Sequence, residues 1–216
     1  MAGKKSLVDL PKIPGELQSL ELELEVMEQD SEFVDRIVQD CELYGEAPYK
    51  ACFDRMKFTN VTMRGARMRK SEFTDVIFER CDLSNADFQD AIFHRVVFKD
   101  CKLIGMDLSS GMLRNASFID CHAEYAVFRM INAKRVRLHG GTFAYGDFFN
   151  SNLTEFYLEE TRLDQAQFSQ TKLSGIDLSS CEFDSLGATL PELRGCIISP
   201  LQAAAFAGQL GMVVKR

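Results

Sequence analysis

The chain has 216 residues, of which 46% are hydrophobic and 26% are charged, and its net charge is −7. This length can bury the core of one or two domains, and the acidic balance argues against a general nucleic-acid binder. Seven cysteines are too few for a disulfide scaffold, and no apolar stretch is long enough to cross a membrane. The start of the chain lacks the apolar core of a signal peptide, so we expect a cytoplasmic location.

Residues 1–50 form an acidic extension with 5 basic and 12 acidic residues. Within it, residues 20–26 alternate apolar and acidic side chains, which is typical of an edge or capping strand. Residues 33–41 allow two interpretations: Phe33, Ile37 and Cys41 are spaced for one helical face, and Phe33, Val38 and Leu43 fit a period of five. Either way, we expect this extension to cap the first turn of the repeat that follows, because a bare end would expose strand edges and core.

Residues 51–198 repeat with a period of five. Stepping by five from Phe53 to Ile198 gives 30 positions, all apolar, and 13 of the 17 phenylalanines fall on them. The positions two residues earlier, beginning at Ala51, contain no charged residue, and most polar side chains lie outside these two phases. The register is unbroken throughout, so the repeat is treated as one element.

A period of five excludes the regular elements. On an α-helix, five residues advance about 500°, so no apolar face would form, and along a plain strand successive centres would switch faces. The pattern fits a short extended piece with two inward side chains, followed by two polar residues that turn the chain. Repetition coils the chain into a tube filled by the apolar centres, and adjacent coils hydrogen-bond at about 4.8 Å.

Residues 199–216 predict a helix and a short strand. Ser199 and Pro200 are typical of an N-cap and a first helical position, the Ala-rich segment 201–210 should be helical, and Gly211 should end it. Residues 212–214 then predict a short strand. The small residues of the helix favour close packing, so this segment is either a monomeric end cap or a dimer interface. We favour a dimer through Leu201, Ala205, Phe206, Leu210, Met212, Val213 and Val214.

The repeat resembles the pentapeptide repeat family, whose consensus is Ala-(Asp/Asn)-Leu-X-X. Good matches begin at Cys81 (Cys-Asp-Leu-Ser-Asn), Ala86 (Ala-Asp-Phe-Gln-Asp), Met106 (Met-Asp-Leu-Ser-Ser) and Ile176 (Ile-Asp-Leu-Ser-Ser). The resemblance implies an all-β fold, a right-handed quadrilateral β-helix with four pentapeptides per 20-residue turn. The repeat would then make about seven turns and a rod of roughly 36 Å.

The N-terminal extension, the uninterrupted repeat and the helix near the C-terminus together resemble the Qnr family of quinolone-resistance proteins, in particular its chromosomal Gram-positive type. The similarity rests on segments 81–85 and 123–129, the start of the C-terminal helix at residues 200–203, and residues 210–214. Plasmid-borne members carry two projecting loops, which the unbroken register excludes here. The resemblance implies a non-enzymatic homodimer that mimics B-form DNA and binds DNA gyrase or topoisomerase IV. The alternative is a scaffold protein with the same repeat and another protein partner.

The sign of the net charge changes along the repeat. Residues 51–72 are net +4, residues 73–128 net −4, residues 129–137 net +4, and residues 138–198 net −6. The acidity is therefore strongest beside the C-terminal helix, where a dimer would have its centre, although soluble surfaces are often acidic without any mimicry. The predicted partner-binding residues are Asp147, Glu155, Glu159, Glu160, Asp164, Asp177, Glu182 and Asp184.

The predicted core contains columns of residues spaced by 20. Phe58, Phe78, Phe98 and Phe118 should stack on successive turns, and Phe88, Phe128, Phe148 and Phe168 are further predicted core residues. Cys81, Cys101 and Cys121 should lie on one wall as free thiols, since parallel stacked side chains do not readily adopt disulfide torsions.

Catalytic motifs are absent from the sequence. His94, His122 and His139 all fall in outward phases, and no phosphate-loop, dinucleotide, zinc-protease or nucleophile-elbow pattern occurs. We therefore expect no enzyme activity, no cofactor and no metal, and no direct binding to nucleic acid or membrane.

Overall fold

The computed structural model describes residues 7–24, 27–28, 30–47, 50–209 and 211–214. Within these residues the chain forms a ladder of parallel strands followed by two helices. In chain order the elements are β1 (Gln18–Ser19), β2 (Glu32–Val34), β3 (Arg36–Gln39), β4 (Cys52–Thr59), β5 (Glu72–Glu79), β6 (Ile92–Lys99), β7 (Met112–Ile119), β8 (Asn132–His139), β9 (Asn152–Glu159), α1 (Leu190–Leu193) and α2 (Pro200–Gln209).

The ladder has one constant register. From β3 to β9, each residue pairs with the residue 20 positions later, as in Phe58 with Phe78. On the other two sides of the tube, isolated bridges such as Asp82 with Lys102 and Asp87 with Asp107 also join residues 20 positions apart. Each turn therefore contains four pentapeptides, and the predicted β-helix of about seven turns is confirmed. We call the two sides formed by the strands the strand side, and the two sides formed by the bridges the turn side.

The corners explain why the period is five. From Phe53 to Leu173, the residue two positions after each inward centre has a positive φ, as at Asn60 (53°), Asp75 (55°) and Asp90 (59°). Asn and Asp tolerate this left-handed backbone better than most residues. At Gly141 (68°) a Cβ atom would also lie 2.1 Å from the carbonyl oxygen of Cys121, so this crowded corner requires glycine.

The aspartate of the repeat shapes corners on the turn side. The carboxylate of Asp82 accepts the backbone N–H of Ser84 at 3.0 Å, and that of Asp107 accepts the N–H of Ser109 at 2.8 Å. Such Asx-turns satisfy a backbone donor that would otherwise lack a partner. A polar residue directly before an inward apolar residue is therefore a local turn signal in this sequence.

Stacked phenylalanines fill the tube. The rings of Phe58, Phe78, Phe98 and Phe118 follow each other with centroids 4.8–4.9 Å apart and nearly parallel planes. Phe128, Phe148 and Phe168 form a second column with the same spacing. These seven residues and Phe88 are at most 1% exposed.

The N-terminal extension joins the ladder before residue 51. Strands β2 and β3 pair with β4, and Val38 and Leu43 are buried, so residues 33–43 follow the period of five and the helical alternative is wrong. No strand forms at the described residues 20–24; the capping strand is β1, which pairs with β3. Leu22 and Leu24 are nonetheless buried against the first turn.

The C-terminal end departs from the repeat in three ways. Residues 171–180 form turns instead of a strand, so the strand ladder stops at β9. A one-turn helix, α1, which the sequence did not predict, precedes α2. The strand predicted at residues 212–214 is wrong: the N–H of Met212 bonds the carbonyl of Ala207 at 2.9 Å, and this bond closes the end of α2 with Gly211 at φ 82°.

Candidate partner-binding surface

The strand side has a band of positive charge at its middle. The three strands β6, β7 and β8 contain six basic residues and no acidic residue. The strands on either side of these three carry the opposite charge. The charged residues of β5 are three acids, and those of β9 are two acids. This alternation arises because residues 20 apart in the sequence become neighbours, so basic residues from separate parts of the sequence meet on adjacent strands. The band consists of Arg95, Lys99, Arg114, Lys134, Arg135 and Arg137.

Several of these cations pair with the acids of the neighbouring turns. Arg95 binds both carboxylate oxygens of Asp75 at 2.6 Å, and Lys99 lies 3.7 Å from Glu79. Burial raises the pKa of Asp75, but the hydrogen bonds from Arg95 and from the Lys12 N–H outweigh it, so the pKa lies below its ordinary value. These pairs connect adjacent turns along the rod.

An extended N-terminal segment lies on the same side. The N–H of Lys12 donates to Asp75 at 2.8 Å, the N–H of Asp9 donates to the side chain of Asn115 at 3.2 Å, and the carboxylate of Asp9 lies 3.7 Å from Arg135. This part of the extension therefore runs along one corner across several turns. From the sequence we expected only a cap on the first turn, and this contact was not predicted.

Three of the eight predicted partner-binding acids are neutralised within the chain. Glu155 accepts a hydrogen bond from Arg135 at 3.0 Å, and Glu159 accepts one from Arg137 at 2.9 Å. Asp147 lies 3.4 Å from Arg129. Their partners are 18 to 22 residues away, one turn of the tube, which is why counting charges along the sequence did not reveal the pairs.

The other five acids form what we call the C-terminal acidic patch. None of them is in an ion pair among the described residues. Asp164 instead accepts the backbone N–H groups of Asp184 and Ser185, and hydrogen bonds from Ser179 lower the pKa of Asp177. Arg162 lies one turn from Glu182, and the two residues are partners in a parallel bridge. The patch consists of Glu160, Asp164, Asp177, Glu182 and Asp184.

Gln202 attaches α2 to the last turn. Its side-chain nitrogen donates to the carbonyls of Leu178 and Cys181 at 2.7 and 2.8 Å, and its oxygen accepts the N–H of Ser199 at 2.8 Å. Gln202 is 5% exposed, and it is the buried residue of this helix. Phe206 adds an aromatic contact with Phe183, with centroids 5.6 Å apart. The sequence analysis missed Gln202, although a glutamine three residues after Ser199 is a capping-box signal.

The end of the molecule exposes apolar side chains beside the acidic patch. Leu201 is 83% exposed and Val213 is 90% exposed, with Met212 and Val214 also exposed. Ala205 and Phe206 are half-buried, and Leu210 lies outside the described residues. Leu201, Ala205 and Val214 line the same cleft as Glu182 and Asp184. The predicted dimer surface and part of the acidic patch therefore adjoin.

All seven cysteines are free thiols, and burial raises the pKa of Cys181 to about 11. Within the described ranges, no cluster of three or more His, Cys, Asp or Glu residues is arranged to hold a metal ion. Among the helices in the same ranges, none is long and apolar enough to cross a membrane.

Comparison with known proteins identifies the repeat. Residues 71–148 match the pentapeptide repeat region family, and residues 51–90 and 147–183 match the family of pentapeptide repeats in eight copies. The uncharacterized protein YisX of Bacillus subtilis strain 168 is 36% identical over 210 residues, which cover 97% of this chain and 99% of YisX.

The chain also matches solved structures of other pentapeptide repeat and resistance proteins. Full-length QnrB1, a plasmid-mediated fluoroquinolone resistance protein, is 17% identical with a TM-score of 0.41, covering 82% of this chain and 100% of QnrB1. HetL, a pentapeptide repeat protein involved in heterocyst differentiation regulation in the cyanobacterium Nostoc sp. strain PCC 7120, is 16% identical with a TM-score of 0.32. The match covers 79% of this chain and 90% of HetL.

Proposed function

The chain belongs to the pentapeptide repeat family, and on that premise we propose that it is a non-enzymatic DNA mimic that binds DNA gyrase or topoisomerase IV and protects the enzyme from quinolones. The observation that supports this proposal is the C-terminal acidic patch, whose five carboxylates have no ion-pair partner among the described residues. A surface that holds duplex DNA is basic because it binds phosphates, so it would attract a rigid acidic rod.

A homodimer formed through α2 would bring two acidic patches together. Leu201 and Val213 expose apolar area that a second copy would cover, and the adjoining cleft carries Glu182 and Asp184. The joined patches would form one acidic stretch at the centre of the dimer. In this proposal Glu155, Glu159 and Asp147 contribute less than the patch, because their charges are already compensated by arginines.

A supercoiling assay with purified gyrase, with and without ciprofloxacin, tests this function. We expect the protein to restore activity in the presence of the drug. The double variant Glu182→Gln/Asp184→Asn should bind gyrase about fivefold more weakly, since exposed charges contribute up to about 1 kcal/mol each. A matched control, Asp90→Asn/Asp100→Asn, removes two exposed acids from the other half of the rod and should bind normally. Equal binding by both double variants would refute a contact at the patch.

The alternative function is a scaffold that binds a different protein partner. The basic band on the strand side favours this alternative, because a uniform mimic of DNA would not carry six cations on three adjacent strands. A protein that neither changes supercoiling nor binds gyrase, but retains a defined partner in a complex, would establish this function instead.

A further inference from the structure

A corner column on the strand side alternates acidic and basic residues, with one exception. Its members lie 20 residues apart, and each has a φ between 50° and 56°. Each arginine of the column binds the acid one turn away, with the nearest atoms 2.5–3.0 Å apart. The exception is Asn115, a neutral residue between two arginines. The column consists of Asp35, Arg55, Asp75, Arg95, Asn115, Arg135 and Glu155.

The segment of residues 7–12, which we call the strap, supplies an acid at this exception. The N–H of Asp9 donates to Oδ1 of Asn115 at 3.2 Å, and the carboxylate of Asp9 lies 3.7 Å from Arg135. Hydrogen bonds to its acidic partner in the column raise the pKa of Arg95, and the Asp9 carboxylate adds to this rise. Asp9 therefore acts on both arginines next to Asn115, where the alternation of the column lacks an acid.

The strap is extended along the axis of the rod. The N–H of Lys12 donates to Asp75 at 2.8 Å. Asp75 lies two turns from Asn115, and two turns measure about 9.6 Å. The three residues from Asp9 to Lys12 span about 10 Å when the chain is fully extended. Residues 7–17 belong to no strand or helix, so the strap is bound as an extended peptide and not as a strand of the ladder.

The contacts of the strap leave much of it exposed to solvent. Val8 is buried, whereas Leu7 and Leu10 are exposed, so one of these three aliphatic side chains is inserted into the surface. The side chains of Asp9 and Arg135 are 61% and 44% exposed, and an ion pair at such exposure contributes little to stability. A competing peptide that makes the same contacts can therefore displace the strap.

The basic band around the strap keeps uncompensated charge. Four of its six cations pair with an acid of an adjacent turn. The other two, Arg114 and Lys134, are in no ion pair among the described residues. The strap itself adds no net charge, since Asp9 and Lys12 cancel. An extended segment with the same aspartate and further acids would complement the band better than the strap does.

We propose that the strap occupies a binding site for an extended acidic segment of a partner protein, and that this segment binds by displacing the strap. The site is the corner at Asn115, with Arg95 and Arg135 one turn to either side. An aspartate of the partner takes the place of Asp9, and an apolar residue before it takes the place of Val8. Because the strap is tethered, it competes at high effective concentration, so it selects for segments more acidic than itself. The site lies on the strand side and does not depend on the proposed function.

Fluorescence anisotropy with the full chain measures this competition. The probe is a fluorescein-labelled peptide of residues 7–13 that carries Leu7→Glu and Lys12→Gln. The full-length variant Val8→Ser/Asp9→Asn weakens the strap and should bind the probe about tenfold more tightly than wild type, because the site is open in a larger fraction of molecules. Leu10→Ser, at an exposed position of the strap, should bind the probe as wild type does. Equal affinities of wild type and Val8→Ser/Asp9→Asn would overturn the proposal.

The chemistry of the site is tested in the Val8→Ser/Asp9→Asn background. A probe that also carries Asp9→Asn should bind about fivefold more weakly than the first probe. Adding Lys134→Gln to the protein should weaken the first probe by a similar factor. Its matched control is Lys102→Gln, which removes an exposed lysine from the turn side and should leave the affinity unchanged. Equal losses from the two lysine substitutions would show general attraction to positive charge and would refute a site at this corner.

Displacement of the strap is observed directly by NMR of the wild-type chain. As the probe saturates the protein, the amide resonances of Asp9 and Lys12 should move towards random-coil positions, since both N–H groups lose their acceptors. The amide resonances of the turn-side residues Asp82 and Lys102 should not change. If the probe saturates while the Asp9 and Lys12 resonances stay in place, it binds elsewhere and the inference fails.

Discussion

At the scale of single residues, the core depends on ring stacking along the tube. Phe98 lies between Phe78 and Phe118, 4.8 Å from each ring centroid, and is fully buried. Its neighbours belong to adjacent turns held at one spacing by the ladder, so they cannot move in to fill a void.

Phe98→Ala should therefore lower the free energy of unfolding by about 3–5 kcal/mol. Urea unfolding measures this change, with Met112→Ala as the control because Met112 is 40% exposed. An unfolding midpoint of Phe98→Ala equal to that of wild type would contradict the stacked core.

Asp75 is a second residue whose surroundings predict a measurable effect. Its side chain is 6% exposed, both oxygens bind Arg95, and one also accepts the Lys12 N–H. Because its folded-state pKa lies below the ordinary value of 3.8, the carboxylate stabilises the fold above that pH. The contribution disappears as the pH falls through the folded-state pKa.

Asp75→Asn should destabilise the protein by about 3 kcal/mol at pH 7, since it leaves Arg95 without its carboxylate. The stability difference from wild type should shrink below about pH 4. Chemical unfolding at a series of pH values from neutral to acidic measures it. A difference that stayed constant over this range would show that the ionised carboxylate is not responsible.

At the scale of elements, α2 closes the open end of the β-helix. Gln202 donates from its amide to the carbonyls of Leu178 and Cys181. The Leu178 carbonyl also accepts the N–H of Cys181, so Gln202→Ala should leave the Cys181 carbonyl without a donor and cost about 1–3 kcal/mol. A thermal melt detects the loss, and Gln209→Ala, at an exposed position of the same helix, is the control. Equal melting of both variants would mean that water replaces the amide at no cost.

At the scale of the whole molecule, the proposed dimer predicts a change of mass. Light scattering of the intact protein at micromolar concentration should give twice the chain mass. Leu201→Asp/Val213→Asp places two charges on the exposed apolar end and should give a monomer with an unchanged circular dichroism spectrum. Met112→Asp, on the exposed face of β7, should remain dimeric. A monomeric wild type would contradict the dimer.

The distribution of charge is also a property of the whole molecule. Acidic β5, basic β6 to β8 and acidic β9 alternate along the strand side, and cross-turn ion pairs such as Arg135 with Glu155 join the bands. The net charge of the chain is therefore a poor guide to its surface. The five carboxylates of the C-terminal acidic patch have no ion-pair partner among the described residues, which is why the proposed partner contact is placed there.

The sequence alone determined the architecture. An unbroken period of five can bury all its apolar centres only by coiling. The resemblance to the pentapeptide repeat family then implied the 20-residue turn that places Phe98 on Phe78 and Cys101 on Cys81. Local signals also sufficed for α2, where Ser199, Pro200 and Gly211 mark the ends. Both inferences succeeded because they depend on contacts set by short, regular spacing.

Only the tertiary structure decided which outward residues remain free. Whether Glu155 or Glu182 has an ion-pair partner depends on how close the side chains of adjacent turns come: Arg135 pairs with Glu155, whereas Arg162 lies in register with Glu182 and forms no ion pair with it. The placement of residues 9–12 on the strand side and the role of Gln202 likewise depend on contacts between distant segments. Periodicity assigns a residue to the inside or the outside of the tube, but the pairing of outward side chains is set by geometry and chemistry across turns.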